Sequence, residues 1–196
     1  MGLKKILAPL VVVVALFSVS GCSSSPSVAA TANGHVITES FVQNSARRMG
    51  DLLSSDPAFA SFDPVPFVLN SIIMELLLND TLPTMGVAIT DQDRDQYWSA
   101  ISDPNGVEYS LWTDPDVRES FRGFLDTNLV GQMAQAGVLD SNALTELLVA
   151  MPVTVNPRHG AWAAQSLSLT SLTAPGLPAG PLADPVQFPA PFTVPS

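Results

Sequence analysis

The segment from Phe67 to Leu78 constrains the fold more than any other part of this 196-residue chain. Nine of its twelve residues are apolar, and only Asn70, Ser71 and Glu75 interrupt them. A helix that is apolar on every side has to be enclosed, either by other helices or by a membrane. A span of ~30 Å of hydrocarbon takes ~20 apolar residues, so this stretch is too short. We therefore predict a central helix from about Pro66 to Asp80, surrounded by the other helices of a bundle.

Four further stretches have helical spacing of apolar residues and recognisable start or stop signals. Thr38, Thr90 and the Thr113-Asp114-Pro115 triplet are typical of helix N-termini, whereas Gly137 and Pro152 are typical of helix ends. The predicted helices run from Thr38 to about Asp56, from Gln92 to Ile101, from Pro115 to about Gly137 and from about Asn142 to Ala150. The sequence thus predicts a mainly α fold of about five helices.

A small β ribbon is expected beside these helices. The Asn33-Gly34 pair lies between two short β-compatible runs, from Val28 and up to Ile37, which is typical of a tight hairpin. Val153-Thr154-Val155 has the alternation of a strand. We expect this late strand to close the ribbon and to bring the two ends of the domain together.

The N-terminal residues have the features of an export signal. Lys4 and Lys5 precede an apolar run from Ile6 to Val19, which is shorter than a membrane-spanning helix. The following Val19-Ser20-Gly21-Cys22 resembles the lipobox of bacterial lipoproteins, with cleavage between Gly21 and Cys22. An ordinary secretory signal with a chance cysteine is the alternative. We favour a signal peptide over residues 1–21 and lipidation of Cys22, because a free exposed thiol is a liability in an oxidising compartment.

Lipidation of Cys22 implies a location at the extracytoplasmic face of the cell membrane. Each buried CH₂ group of an acyl chain contributes about 0.8 kcal/mol, so two or three chains give stable anchoring. Without residues 1–21 the chain has six arginines against eighteen acidic residues, a net charge of −12. Nucleic acids and anionic lipid headgroups are therefore not expected as partners, since both bind clustered Lys or Arg.

Composition also divides the remaining chain into three parts. Residues 22–28 form the lipidated cysteine and a flexible linker, and residues 29–164 form one domain with a single core. We predict a disordered, proline-rich tail from 165 to 196, because Thr173 to Ser196 has many prolines, few charges and no periodicity.

Three segments together resemble the N-terminal domain of SurA-type exported chaperones. They are Val28 to Phe41 with its Asn-Gly turn, the connector Gly86-Val87-Ala88-Ile89-Thr90-Asp91, and Val153 to Trp162 with Asn156-Pro157-Arg158-His159-Gly160. Their order resembles that in SurA N-terminal-domain lipoproteins of high-GC Gram-positive bacteria, in which a tyrosine is usual at the position of His159. The resemblance implies a five-helix chaperone domain. Longer relatives continue into a parvulin prolyl isomerase module, which we do not expect after Trp162.

Side chains suited to catalysis or metal binding are sparse. Only His35 and His159 are available as bases, there is no Gly-x-Ser-x-Gly motif, and Cys22 is assigned to lipid. Asp91, Asp93 and Asp95 begin like a calcium loop, but Gln96 and Ser102 occupy its glycine and glutamate positions. Asp103, Asn105 and Glu108 around Gly106 are better explained by a turn than by a cation site. We predict no enzyme activity, no cofactor and no metal site.

Arg158, His159 and Trp162 are candidates for either a structural loop or a peptide contact. Arg158 either pairs with an acid that tethers the last strand to the helices or grips a peptide carboxylate, and we favour the ion pair. Trp162 is expected to cover the hydrophobic core rather than to stack on a ligand.

The resemblance implies a membrane-anchored, non-catalytic, chaperone-like module that meets unfolded or exported polypeptides. Two alternatives remain open, a protein related or accessory to a prolyl isomerase and a ligand-binding or structural lipoprotein of the envelope. An apolar groove would favour the first interpretation, and a closed pocket with convergent polar groups would favour the last.

Overall fold

A computed structural model describes residues 27–170 of the chain. Six α-helices lie in this range: α1 (Glu39–Leu53), α2 (Pro64–Thr81), α3 (Asp91–Ile101), α4 (Ser110–Thr113), α5 (Pro115–Gln135) and α6 (Ser141–Ala150). The strands are β1 (Val28–Ala32), β2 (His35–Thr38), β3 (Val153–Val155), β4 (Ala161–Ala163) and β5 (Ser168–Thr170). The prediction of a mainly α fold with a small β ribbon is confirmed. The predicted signal peptide, Gly21, Cys22 and the tail from 171 lie outside the described residues.

Helix α2 is the central helix of the fold, as its apolar sequence predicts. Its buried side chains point in every direction around the axis: Val68, Leu69, Ile72, Ile73, Met74, Leu77 and Leu78. It begins two residues earlier than predicted because Asp63 caps it, accepting a hydrogen bond from the Val65 N–H at 3.0 Å. Within the described residues, Pro64–Met85 is the one stretch long and apolar enough to cross a membrane, yet 61% of its most apolar 18-residue window is buried inside the fold. A core helix explains that composition.

The first three strands form an antiparallel sheet in the order β2-β1-β3. Asn33 (φ 46°) and Gly34 (φ 87°) both have positive φ, as the two-residue turn of a β1–β2 hairpin requires. Strand β3 pairs with the other edge of β1, with Ala30 opposite Val155. The Nδ2 of Asn156 then donates to the Val28 carbonyl at 3.0 Å. The predicted closure of the ribbon by Val153–Val155 is confirmed.

The helix start and stop signals in the sequence are also confirmed. Thr90 and Asp93 form a capping box at the start of α3, and Asp114 caps α5 ahead of Pro115. Gly137 (φ 70°) adopts the left-handed conformation just after α5. The one-turn helix α4 is not predicted by the sequence pattern, because four residues are too few to show a period.

The fold extends past the predicted domain end at residue 164. Strands β4 and β5 form a second ribbon, in which Trp162 lies opposite Leu169. Leu167 (φ 48°) is left-handed and turns the chain back, although leucine rarely adopts that conformation and gives no sequence signal for it. The expected disorder from residue 165 is therefore wrong for 165–170, which are a 3-10 turn and a strand. The structured part ends no earlier than Thr170.

Candidate functional site

Helices α2 and α5 cross in unusually close contact at Gly123. A Cβ atom at this position would lie 1.8 Å from the carbonyl oxygen of Ser71, so no other residue fits without movement. The Ser71 hydroxyl accepts a hydrogen bond from the Phe124 N–H at 3.0 Å, which joins the two helices at the crossing. This contact fixes the spacing of the side chains on either side of it.

A groove of about 360 Å³ lies beside this crossing. Its apolar lining residues are Phe67, Met74, Phe124 and Leu167, and its polar lining residues are Asn70, Ser71, Thr127, Asn128 and Ser166. Every polar side chain that lines it is an amide or a hydroxyl, and none is charged. Such a surface suits an uncharged, extended chain better than a small charged ligand.

Two of the apolar lining residues, Phe67 and Phe124, pack against the core. The Phe67 ring lies 5.7 Å from the Phe124 ring, and both rings contact Phe121, at 6.0 and 5.0 Å between centroids. Phe121 is 1% exposed and also packs edge-on against Trp98 at 5.1 Å. Phe67 and Phe124 are half-buried, so each ring packs on the core on one side and is partly exposed on the other.

One end of the groove already holds an extended segment of the chain itself. The Oδ1 atom of Asn70 accepts a hydrogen bond from the Leu169 N–H at 3.2 Å. Asn128 donates from Nδ2 to the Phe124 carbonyl within its own helix at 2.7 Å. Asn70 Nδ2 and Asn128 Oδ1 have no hydrogen-bond partner within residues 27–170, so a donor and an acceptor remain at the groove.

A charged network lies between α3 and α5, and sequence reasoning missed it. Arg94 donates two hydrogen bonds to Asp126, at 2.7 and 2.9 Å, and a third to Asp91 at 2.8 Å. Arg94 is 6% exposed and Asp126 is 1% exposed, so this is a buried ion pair. Arg122 donates to Asp91 at 3.1 Å, which extends the network to the surface. One sequence signal could have indicated this network. Arg94 lies one helical turn before Trp98, on the buried side of α3.

Glu75 in α2 is the acid of this region with the weakest pairing. Its Oε1 lies 4.0 Å from Nη1 of Arg122, and its side chain is 12% exposed. Burial raises the pKa of Glu75 to about 7, and the charges of Asp126 and Glu119 act in the same direction against that of Arg122. Glu75 is thus partly protonated near neutral pH.

Arg158 and His159 both contact Glu39, the first residue of α1. The Nη2 of Arg158 and the Nε2 of His159 each lie 2.7 Å from the same oxygen of Glu39. Although burial acts in the opposite direction, the hydrogen bond from His159 and the charges of His159 and Arg158 hold the pKa of Glu39 below its usual value. Arg158 therefore takes part in the kind of tether that the sequence favours, joining the segment after β3 to a helix.

The other candidate residues are placed apart from this cluster and from the groove. Trp162 in β4 is half-buried and packs against the hydrophobic core. His35 lies 3.2 Å from Asp80. Asp93 belongs to the cap of α3, Asp95 accepts from the Trp112 indole, and Asp103 accepts from the Asn105 N–H in a turn. The structure does not bring Arg158, His159 and Trp162 to the groove between α2 and α5.

Comparisons with known proteins give no further guidance. No protein-family model, no curated protein and no solved structure matches this chain. The groove and the charged network described above are therefore the basis for a functional conclusion.

Proposed function

We propose that this protein is a lipid-anchored extracytoplasmic module that binds extended polypeptide segments without catalysis. The observation that carries the proposal is the groove between α2 and α5, which is lined by Phe67 and Asn70 from α2 and by Phe124 and Asn128 from α5. Apolar walls supply affinity for side chains, and side-chain amides match the donors and acceptors of a peptide backbone.

The contact between Asn70 and Leu169 supports this interpretation. The fold itself binds an extended backbone at the end of the groove through an amide oxygen, at 3.2 Å. A polypeptide that continues along the groove would meet the Asn70 amide nitrogen and the Asn128 oxygen in the same manner. The resemblance to SurA-type domains in three sequence segments favours the same function.

Within residues 27–170, the side-chain contacts of the two histidines include no hydroxyl nucleophile. Each ring nitrogen that makes a side-chain contact within residues 27–170 faces a carboxylate, Asp80 for His35 and Glu39 for His159. Neither histidine faces a serine or threonine hydroxyl in those contacts, as a general base for an oxygen nucleophile would.

Membrane anchoring is proposed from the sequence. Lys4 and Lys5, the apolar run and Cys22 have the order of a lipoprotein signal. Only six residues separate Cys22 from Ala29, the first residue of the predicted domain. A linker of that length reaches at most about 25 Å, which would hold the groove near the membrane surface where exported chains emerge.

The proposal is tested with the chain from Ser23 onward, an unfolded client and a light-scattering assay. We expect the protein to slow client aggregation, and we expect Leu167→Ser to weaken this effect because it removes an apolar side chain from the groove. Val138→Ser is the matched control, because Val138 is 69% exposed and is not among the groove residues.

Unchanged aggregation at every ratio of protein to client would contradict the proposal, and so would an equal loss in the two variants. A protease-coupled assay of prolyl isomerisation is expected to show no acceleration. Catalysis in that assay would overturn the non-catalytic assignment, since lowering a barrier of ~18 to 20 kcal/mol requires a preorganised site.

A further inference from the structure

Phe67, which lines the groove, also belongs to a row of aromatic rings along the connection between α1 and α2. Phe67 lies 5.8 Å from Phe62, which in turn lies 6.2 Å from Phe59, both in edge-on contacts. We call Phe59, Phe62 and Phe67 the aromatic row. Phe59 and Phe62 are half-buried, like the groove phenylalanines. Ring contacts thus connect a groove residue to the connector between the two helices.

Two carboxylates lie along this row in the sequence and cap the elements that carry it. Asp56 accepts from the Ala58 N–H at 2.8 Å, at the start of the 3-10 turn that contains Phe59. Asp63 directly follows Phe62 and accepts from the Val65 N–H at 3.0 Å. Neither carboxylate forms an ion pair with an arginine or histidine within residues 27–170.

The positive charges of the described part of the chain are engaged elsewhere. Arg48 pairs with Asp114, Arg94 with Asp126, Arg118 and Arg122 with Asp91, and Arg158 with Glu39. Arg47 donates to the amide oxygen of Asn44. No arginine of the described residues thus forms an ion pair with Asp56 or Asp63, in a chain that has a net charge of −12 once residues 1–21 are removed.

The fold also contains an example of a cation held by a ring and a carboxylate together. The guanidinium of Arg118 lies 4.1 Å from the centre of the Trp112 ring and 3.5 Å from Asp91. An aromatic face attracts a cation through its quadrupole, and a nearby carboxylate adds Coulomb attraction. The aromatic row beside Asp56 and Asp63 offers the same two features to a cation from outside.

We propose that the groove and the aromatic row together bind extended polypeptide segments in which an apolar stretch is followed by lysine or arginine. The apolar stretch lies in the groove, and the basic residues lie at the row beside Asp56 and Asp63. The inference rests on the proposed function and adds the charge of the ligand to it. Attraction between opposite charges speeds association and rejects acidic segments, and both effects weaken in salt.

Three labelled peptides test the inference by fluorescence anisotropy with the chain from Ser23 onward. They share one apolar core of eight residues and differ in the three residues that follow it, which are lysine, serine or aspartate. At 25 mM NaCl we expect the lysine peptide to bind roughly tenfold more tightly than the aspartate peptide, as one or two exposed charge pairs would give. At 500 mM NaCl the affinities should converge.

A double substitution, Asp56→Asn with Asp63→Asn, distinguishes an effect of the carboxylates at the aromatic row from an effect of the overall net charge. Asparagine caps helices as well as aspartate does, so the fold is retained while two charges are lost. The preference for lysine should disappear, and the affinity for the serine peptide should stay within about twofold. The control, Asp103→Asn with Asp140→Asn, removes two charges that form a turn and cap α6 elsewhere, and it should keep the preference.

The outcomes distinguish the two proposals. Equal binding of all three peptides at low salt would overturn the inference and leave the proposed function intact. Equal effects of the two double variants would also overturn it, because net charge alone would then explain the preference. Failure of every peptide and of an unfolded client to bind would overturn the proposed function itself.

Discussion

Arg94 and Asp126 form a two-pronged ion pair in the interior, with N–O distances of 2.7 and 2.9 Å across 32 residues of sequence. The pair joins α3 to α5. Removing Asp126 leaves the buried Arg94 with only Asp91, which is half-exposed, and breaking a buried ion pair typically costs about 3 to 5 kcal/mol. We expect Asp126→Asn to lower the free energy of unfolding by about 3 kcal/mol in urea denaturation.

The control for this prediction is Arg47→Ala, because Arg47 is exposed and donates only to Asn44. That substitution should change stability by less than about 0.5 kcal/mol. The combined Arg94→Met and Asp126→Leu variant should recover most of the lost stability, since an apolar pair needs no desolvation of charge. A wild-type midpoint for Asp126→Asn would show that the pair contributes nothing.

Glu75 should make the stability of the domain depend on pH. Its pKa is raised to about 7 in the folded state from 4.5, so the folded state binds the proton more tightly than the unfolded state does. Stability then falls as the pH rises from 4.5 to 7, because ionisation is more costly in the fold. The difference between the two pKa values corresponds to about 3 kcal/mol at roughly 1.4 kcal/mol per pH unit.

Glu75→Gln tests this dependence, because glutamine cannot ionise. We expect the variant to exceed the wild type in free energy of unfolding at pH 8 by about 3 kcal/mol, and the difference to shrink toward pH 4.5. Glu146→Gln, which makes the same change at an exposed residue of α6, is the matched control. A constant difference for Glu75→Gln would contradict the predicted ionisation.

The helix crossing at Gly123 predicts opposite effects for two substitutions in α5. In Gly123→Ala the new Cβ would meet the Ser71 carbonyl, so the helices must separate, and we expect a loss of about 3 kcal/mol or more. In Gly131→Ala no atom lies within 4 Å of the new Cβ, so the higher helix propensity of alanine should add about 0.5 to 1 kcal/mol. Thermal denaturation of the two variants measures both. Equal effects would show that the crossing is not tight.

The predicted anchor is tested in cells through Cys22→Ala. We expect loss of lipid labelling and either release from the membrane fraction or retention of the unprocessed precursor, because thioether lipidation requires the cysteine sulfur. Ser25→Ala, three residues beyond Cys22, should leave labelling unchanged. Full membrane retention of a cleaved and unlabelled Cys22→Ala protein would contradict lipid anchoring.

Features that depend on neighbouring residues could be predicted from the sequence. The Asn33-Gly34 hairpin, the capping box at Thr90 and the enclosed helix α2 all follow from short-range chemistry or from one apolar stretch. The β4–β5 ribbon could not, because Leu167 adopts a left-handed conformation that its side chain disfavours and that only tertiary contacts hold.

The groove is a second feature that could not be predicted from the sequence. Phe67 and Phe124 are recognisable as apolar positions of their helices, but periodicity does not tell which edge of a helix remains at the surface. That depends on how α2 and α5 rotate about the contact at Gly123. The Arg94–Asp126 pair could not be predicted for the same reason, because the packing of two helices, and not the spacing of residues along the sequence, decides which side chains meet.

The central position of β1 in the order β2-β1-β3 determines how the domain responds to mechanical load. A pull on the chain ahead of Val28 runs along β1 and acts on its hydrogen bonds to both neighbouring strands at once, in shear. An edge strand under the same pull would lose support on one side only. We therefore expect β1, the strand that follows the proposed membrane tether, to resist extraction by a pulling force better than an edge strand does.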